Sequence, residues 1–249
     1  MSTFSLINYR YMRILAVIPA RRKSKGVIRK NTRSFNGKPL LAHTIESALR
    51  SEYVDRVIVS TDDKKTALIA KKYGAEVPFL RPSHLAKDSS EVADAMIHLL
   101  DVLKKKETYI PDLLLLLQPT SPLRKSTHID EAVRLYMKTK ADSLVSVCRT
   151  ENLLFTKNST HTLSVTNPKL SYSSNRQNFP TYYKLDGSMI YLTKVALLIK
   201  NKSFISGKLV GYEIDRWCAV DIDEPQDFVV GEILHKHYDV ITKKLKKFK

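Results

Sequence analysis

Leu113-Leu114-Leu115-Leu116-Leu117 is an unbroken run of five leucines. Consecutive leucines with no polar alternation leave no face for water, which is the pattern of a strand covered by helices on both sides. The segments around it repeat one rhythm. Upstream, residues 13–19 read as a buried strand, 40–49 as a helix and 54–60 as a strand rich in β-branched residues. A helix follows, capped by Thr61 or Asp62, reaching Tyr73 and stopping at Gly74. Residues 76–80 read as a short strand. Asp88-Ser89-Ser90-Glu91 has the form of a capping box, placed before an apolar stripe of Val92, Met96, Leu99 and Leu103. Downstream, 127–136 reads as helix, with strands at 143–147, 187–192 and 209–214. Pro225 suits the first turn of a closing helix that runs towards Lys244. This alternation predicts an α/β fold, a doubly wound and mostly parallel sheet with ligands beyond the carboxyl ends of its strands. The rhythm breaks across residues 150–185, which are polar and rich in Asn and Ser. They read as an extended excursion that pairs with a second subunit. Residues 1–11 show no pattern and read as an N-terminal extension to a domain spanning 12–249.

A chain of 249 residues, 43% hydrophobic, can bury one sizeable core. No stretch approaches the length needed to span a bilayer, so no membrane partner is expected. The apolar part of residues 13–20 is brief and basic residues follow at once, which fits a first strand better than a signal peptide. Two cysteines, Cys148 and Cys218, make no disulfide framework and fit a reducing, cytoplasmic setting. The formal charge of +17 attracts anions, whether nucleic acid, acidic membrane or phosphorylated and carboxylated small ligands. No aromatic stacking platform or recognition helix accompanies the charge, which counts against nucleic acid. His235 and His237 lie two apart in a helix and face different ways, so they suggest no metal site.

Two constellations carry chemistry. The loop Ile18-Pro19-Ala20-Arg21-Arg22-Lys23-Ser24-Lys25-Gly26-Val27-Ile28-Arg29-Lys30-Asn31 concentrates cations at a strand's carboxyl end. Such a loop suits a polyphosphate whose leaving group gains negative charge. It lacks the spacing of a Walker loop, and on charge alone an exposed basic loop, or one that touches RNA phosphates, fits it equally. The second is Asp221-Ile222-Asp223, whose carboxylates at i and i+2 share one side of an extended segment. Hard oxygens in that arrangement suit Mg²⁺, although two surface acids before a helix would read the same way.

The words around these residues resolve the choice. Ile18-Pro19-Ala20-Arg21, Lys30-Asn31 and Asn36-Gly37-Lys38-Pro39-Leu40 resemble the opening of the CMP-sialic acid synthetases, the acylneuraminate or nonulosonate cytidylyltransferases. The resemblance continues in order through Val59-Ser60-Thr61-Asp62, Phe79-Leu80-Arg81-Pro82 and Leu85-Ala86-Lys87-Asp88-Ser89. It runs on through Leu117-Gln118-Pro119-Thr120-Ser121-Pro122-Leu123-Arg124, Tyr183-Lys184-Leu185-Asp186-Gly187 and Asp221-Ile222-Asp223-Glu224-Pro225. It implies a Rossmann-like nucleotidyltransferase fold, a homodimer, and transfer of CMP from CTP to an acidic nine-carbon sugar of the N-acetylneuraminate, legionaminate or pseudaminate type. Arg21, Lys25 and Lys30 would hold the CTP phosphates, while Asn31, Arg81 and Ser89 would serve the cytidine. Gln118 and Arg176 would face the sugar, and Asp221 and Asp223 would bind Mg²⁺ or Mn²⁺. Arg21, Lys30, Asp221 and Asp223 form the implied catalytic set. The 118–124 stretch supplies donors suited to hydroxyls and a carboxylate, Arg124 among them. Lys23 and Arg29 stand where the family has glycine, which raises the alternative of a catalytically impaired member that still binds nucleotide or sugar. Asp186 and the 149–155 segment also depart from the family pattern.

Overall fold

The computed structural model describes residues 12–23, 26–150, 155–165, 181–185 and 189–248. In chain order these hold β1 (Ile14–Pro19), β2 (Ser34–Phe35), β3 (Lys38–Pro39), α1 (Leu40–Leu49), β4 (Arg56–Ser60), α2 (Lys64–Lys72) and α3 (Val92–Glu107). Then come β5 (Leu113–Leu116), α4 (Ser126–Thr139), β6 (Ser143–Thr150), β7 (Phe155–Lys157), β8 (Leu163–Val165) and β9 (Tyr182–Leu185). The chain closes with β10 (Tyr191–Lys194), α5 (Val195–Asn201), β11 (Leu209–Glu213), α6 (Pro225–Lys236) and α7 (Tyr238–Leu245).

The main sheet runs β11-β6-β10-β5-β1-β4, with β9 extending from β6. β1 is parallel to both neighbours, with Val17 opposite Ile58 on one side and Leu116 on the other. β10 lies antiparallel between β5 and β6, while β11 returns parallel to β6. Five of the seven strands point one way, so the sheet is mostly parallel, as expected; β10 is reversed inside it and β9 is antiparallel to β6.

The leucine run shows why. Leu113, Leu115 and Leu117 join the core beneath α1 and α4, with Ile14, Ala16, Ile18, Leu41, Ile45, Ile129 and Val133. Leu114 and Leu116 turn to the opposite face, with Leu15, Val17, Met96, Leu99, Leu103 and Leu198 from α3 and α5. All five are at most 2% exposed. Burying a leucine fully is worth roughly 1.5–3 kcal/mol, so each of the five adds to the core from one face of the sheet or the other.

Several local expectations give way to specific competitors. The cap of α2 is Asp63, whose carboxylate accepts from the Thr66 amide at 2.9 Å and the Thr66 hydroxyl at 2.8 Å. Thr61 instead accepts from the Asp63 amide, and Asp62 accepts from the Arg22 amide. The strand expected at 76–80 is a single bridge from Glu76 to Ile58, since Pro78 has no amide proton for a ladder. The capping box at 88–91 is not made: α3 begins without a side-chain cap, and Asp88 is spent on Arg21. Val92 is 37% exposed and leaves the apolar stripe to Met96, Leu99 and Leu103. The strand expected at 187–192 lies at Tyr191–Lys194. The closing helix is two, broken at His237. Among the described residues, no helix is long and apolar enough to cross a membrane.

Candidate active site

The carboxyl ends of β1 and β5 open onto a cleft of about 480 Å³. Arg21, Gly26, Lys30 and Asn31 line it from the loop after β1, Gln118 and Thr120 from the loop after β5. Asp221, Asp223 and Glu224 close it from the segment leading into α6. Six of the residues picked from the sequence thus meet in one place. Lys25 and Arg176, like Asp186, lie outside the described residues.

The aspartate segment is set by the residue between its two acids. Ile222 is fully buried against Val27, Phe35, Leu40 and Phe228, and its amide donates to the Thr120 carbonyl at 2.8 Å. With Ile222 turned inward, its neighbours Asp221 and Asp223 both face the cleft. The Asp227 carboxylate then accepts from the Asp223 amide at 2.9 Å and the Glu224 amide at 2.7 Å, joining this backbone to the first turn of α6. The sequence marks Asp227 only weakly, as an acid in the first turn of a helix opened by Pro225.

The basic loop is tied to the same segment. Lys30 Nζ donates to the Ile222 carbonyl at 2.5 Å and to Asp223 Oδ1 at 2.8 Å. Gly26 packs so closely that a Cβ on it would lie 2.0 Å from the Asp223 carbonyl oxygen. Val27, 3% exposed, anchors the loop in the small core around Ile222. Arg21 reaches the other way, pairing with Asp88 Oδ1 at 2.7 Å and donating to the Lys87 carbonyl. Asn31 Nδ2 donates to the Arg21 carbonyl at 3.1 Å and so orders the loop as well as lining the cleft.

Arg81 and Ser89 do not line the cleft. Arg81 is 8% exposed and holds the end of β4, donating from Nε to Ser60 Oγ and from Nη2 to the Ser60 carbonyl. Burial, relieved only in part by the Asp62 carboxylate, keeps its guanidinium below the usual range. Ser89 is exposed, in the turn beside Asp88. Arg124 was read as a donor for substrate. At 3% exposed, it instead donates to the Met189 carbonyl, Thr44 Oγ1 and the Gln118 carbonyl, fixing the turn that carries Gln118.

Lys23 and Arg29 separate here. Arg29 has φ 53° and ψ 35°, the left-handed region, whereas Lys23 is not among the residues with positive φ. A left-handed non-glycine residue costs roughly 1–2 kcal/mol. Arg29 is exposed, so Arg29→Gly is expected to raise the melting temperature by about 2–4 °C, the shift that roughly 1 kcal/mol produces at this size. A thermal melt checks it; an unchanged or lower melting temperature would show that the Arg29 side chain repays its backbone strain.

A model described as cytidylyltransferase matches residues 15–218. The chain is 40% identical over 226 residues to a CMP-N,N'-diacetyllegionaminic acid synthase of Legionella pneumophila, covering 90% of this chain and 96% of that protein. It is 38% identical over 220 residues to an N-acylneuraminate cytidylyltransferase of Escherichia coli, covering 87% of this chain and 50% of that longer protein. A pseudaminic acid cytidylyltransferase of Campylobacter jejuni is 30% identical over 228 residues, 90% of this chain and 97% of that one. Among solved structures, a CMP:2-keto-3-deoxy-manno-octonic acid synthetase complexed with CTP superposes with a TM-score of 0.65 at 16% identity, covering 91% of this chain and 99% of the other. That likeness concerns the fold. With the family match running from β1 through β11 and relatives at 30–40% identity over most of the chain, the chain belongs to the cytidylyltransferase family, among the CMP-nonulosonate synthetases.

Proposed function

We propose that this cleft joins CMP to a nonulosonic acid, the anomeric hydroxyl of the sugar attacking the α-phosphate of CTP. A bond forms between the anomeric oxygen and the α-phosphorus as the bond to the β-phosphate oxygen breaks, and pyrophosphate departs. The observation that carries this reading is the convergence of Arg21 and Lys30 with Asp221 and Asp223 across one cleft. Arg21 and Lys30 would receive the negative charge that grows on the leaving pyrophosphate, at distances set by the loop and not by solvent. Asn31 would meet the cytidine, with Ser89 and the buried Arg81 shaping the same neighbourhood, and Gln118 would meet the sugar. No protein nucleophile is required, and alignment supplies much of the rate.

The donor set fits a divalent cation. Asp221 and Asp223 offer hard carboxylate oxygens from one extended segment, and Asp223 is 68% exposed at its side chain. Two carboxylates leave most positions to water and substrate phosphates, the habit of Mg²⁺ and, in the same role, Mn²⁺. When bound, such a cation would neutralise phosphate charge and acidify the attacking hydroxyl.

A homodimer belongs to the same proposal. Tyr183 and Leu185, two apart on β9, are 52% and 48% exposed, apolar positions on one face of the strand suited to a second copy. Buried free Cys148 and Cys218 fit a cytoplasmic setting.

The test is pyrophosphate release from CTP and Mg²⁺ with N-acetylneuraminate, legionaminate and pseudaminate supplied separately. Release with at least one sugar is expected. Silence with all three, alongside intact CTP binding, would overturn turnover in favour of an impaired, ligand-binding member.

A further inference from the structure

Of the cations meant for the triphosphate, the two among the described residues, Arg21 and Lys30, rest on carboxylates of the chain itself. Arg21 sits on Asp88 at 2.7 Å, and Lys30 sits on Asp223 at 2.8 Å. The second pairing matters more, because Asp223 is one of the two acids assigned to metal. The Lys30 side chain is 12% exposed, and a second bond to the Ile222 carbonyl holds its ammonium beside the aspartate. A divalent cation approaching Asp223 therefore meets a fixed positive charge and a carboxylate oxygen already in use.

We propose that Lys30 is the resting counter-cation of Asp223, so that divalent metal enters the site with CTP and not ahead of it. The inference rests on the metal assignment made above. The triphosphate brings the negative charge that draws Lys30 off Asp223, and the flexible four-carbon stem allows the ammonium to turn within the cleft both residues line. Asp223 is then released at the moment phosphate oxygens arrive to complete the cation's shell. Lys30 would thus serve in turn as a stand-in for the metal and as a phosphate ligand.

Binding of Mn²⁺ to the full chain, followed by electron paramagnetic resonance without sugar, tests this directly. Wild type is expected to take up free Mn²⁺ weakly and Mn²⁺ with CTP strongly. Lys30→Met is expected to bind free Mn²⁺ about tenfold more tightly, equivalent to about 1.4 kcal/mol, and Lys30→Gln to behave alike. Adding Asp223→Asn to Lys30→Met should remove the gain. The proposal is overturned if both Lys30 variants, folded by circular dichroism, bind free Mn²⁺ no better than wild type. Wild type binding free Mn²⁺ as tightly as it binds Mn²⁺ with CTP would overturn it without any variant. Should Asp221→Asn and Asp223→Asn retain full binding of Mn²⁺ with CTP, the metal assignment itself falls, which is a separate and recognisable result.

Discussion

Asp221→Asn is expected to lower pyrophosphate release by about a thousandfold or more, close to 4 kcal/mol of transition-state stabilisation. The substitution keeps size and shape, so the loss would be one of charge. Its backbone is held through buried Ile222 and the bond from the Ile222 amide to the Thr120 carbonyl. CTP should still bind through Arg21 and the loop. Steady-state kinetics over a Mg²⁺ titration checks the assignment. A variant that keeps wild-type kcat at saturating Mg²⁺ would remove Asp221 from the chemistry. Asp223→Asn is expected to lose activity too, with one difference: it also frees Lys30 from its partner.

What the chain reveals before folding depends on how far apart the interacting residues lie. The leucine run needs no distant partner to be read, because five apolar residues without alternation already exclude a water-facing side. The Asp221-Ile222-Asp223 segment is readable for the same reason, with a period of two and a buried residue between two acids. Arg124 fails this test. Its sequence neighbours suggest a donor for substrate, while its real acceptors include Met189, 65 positions away, and burial has already spent it. Lys30 and Ile222 are 192 positions apart, and no spacing rule reaches that far. Asp88 looked like a helix cap because Glu91 follows it at the proper interval. Its pairing with Arg21, brought close by the fold, takes the carboxylate away from the helix. The Arg29 departure was visible as a missing glycine, but only the backbone distinguishes it from Lys23.

Gly26→Ala is expected to reduce kcat/KM by about a hundredfold, the loss that a displacement of roughly 1 Å produces at a reacting centre. The missing side chain is what lets the phosphate loop lie against the aspartate segment. An added Cβ would stand 2.0 Å from the Asp223 carbonyl oxygen, 3.0 Å from its carbonyl carbon and 3.2 Å from Glu224 Oε1. The first two atoms are backbone, so no rotamer change relieves them. Either the loop lifts, carrying Arg21 and Lys30 away, or the 221–223 segment recedes with the carboxylates. Both movements separate the cations from the acids, which the proposed transfer needs together. Overpacking also costs about 1–3 kcal/mol of stability, so a lower melting temperature should accompany the kinetic loss. Gly207→Ala separates the two effects. Gly207 has φ 64°, its Cβ would stand 2.7 Å from Asp142 Cβ, and neither residue lines the cleft. It is expected to lower stability while leaving kcat/KM within a few-fold of wild type. Equal kinetic losses in both alanine variants would place the defect in general stability and deny Gly26 its part in bringing loop and aspartates together.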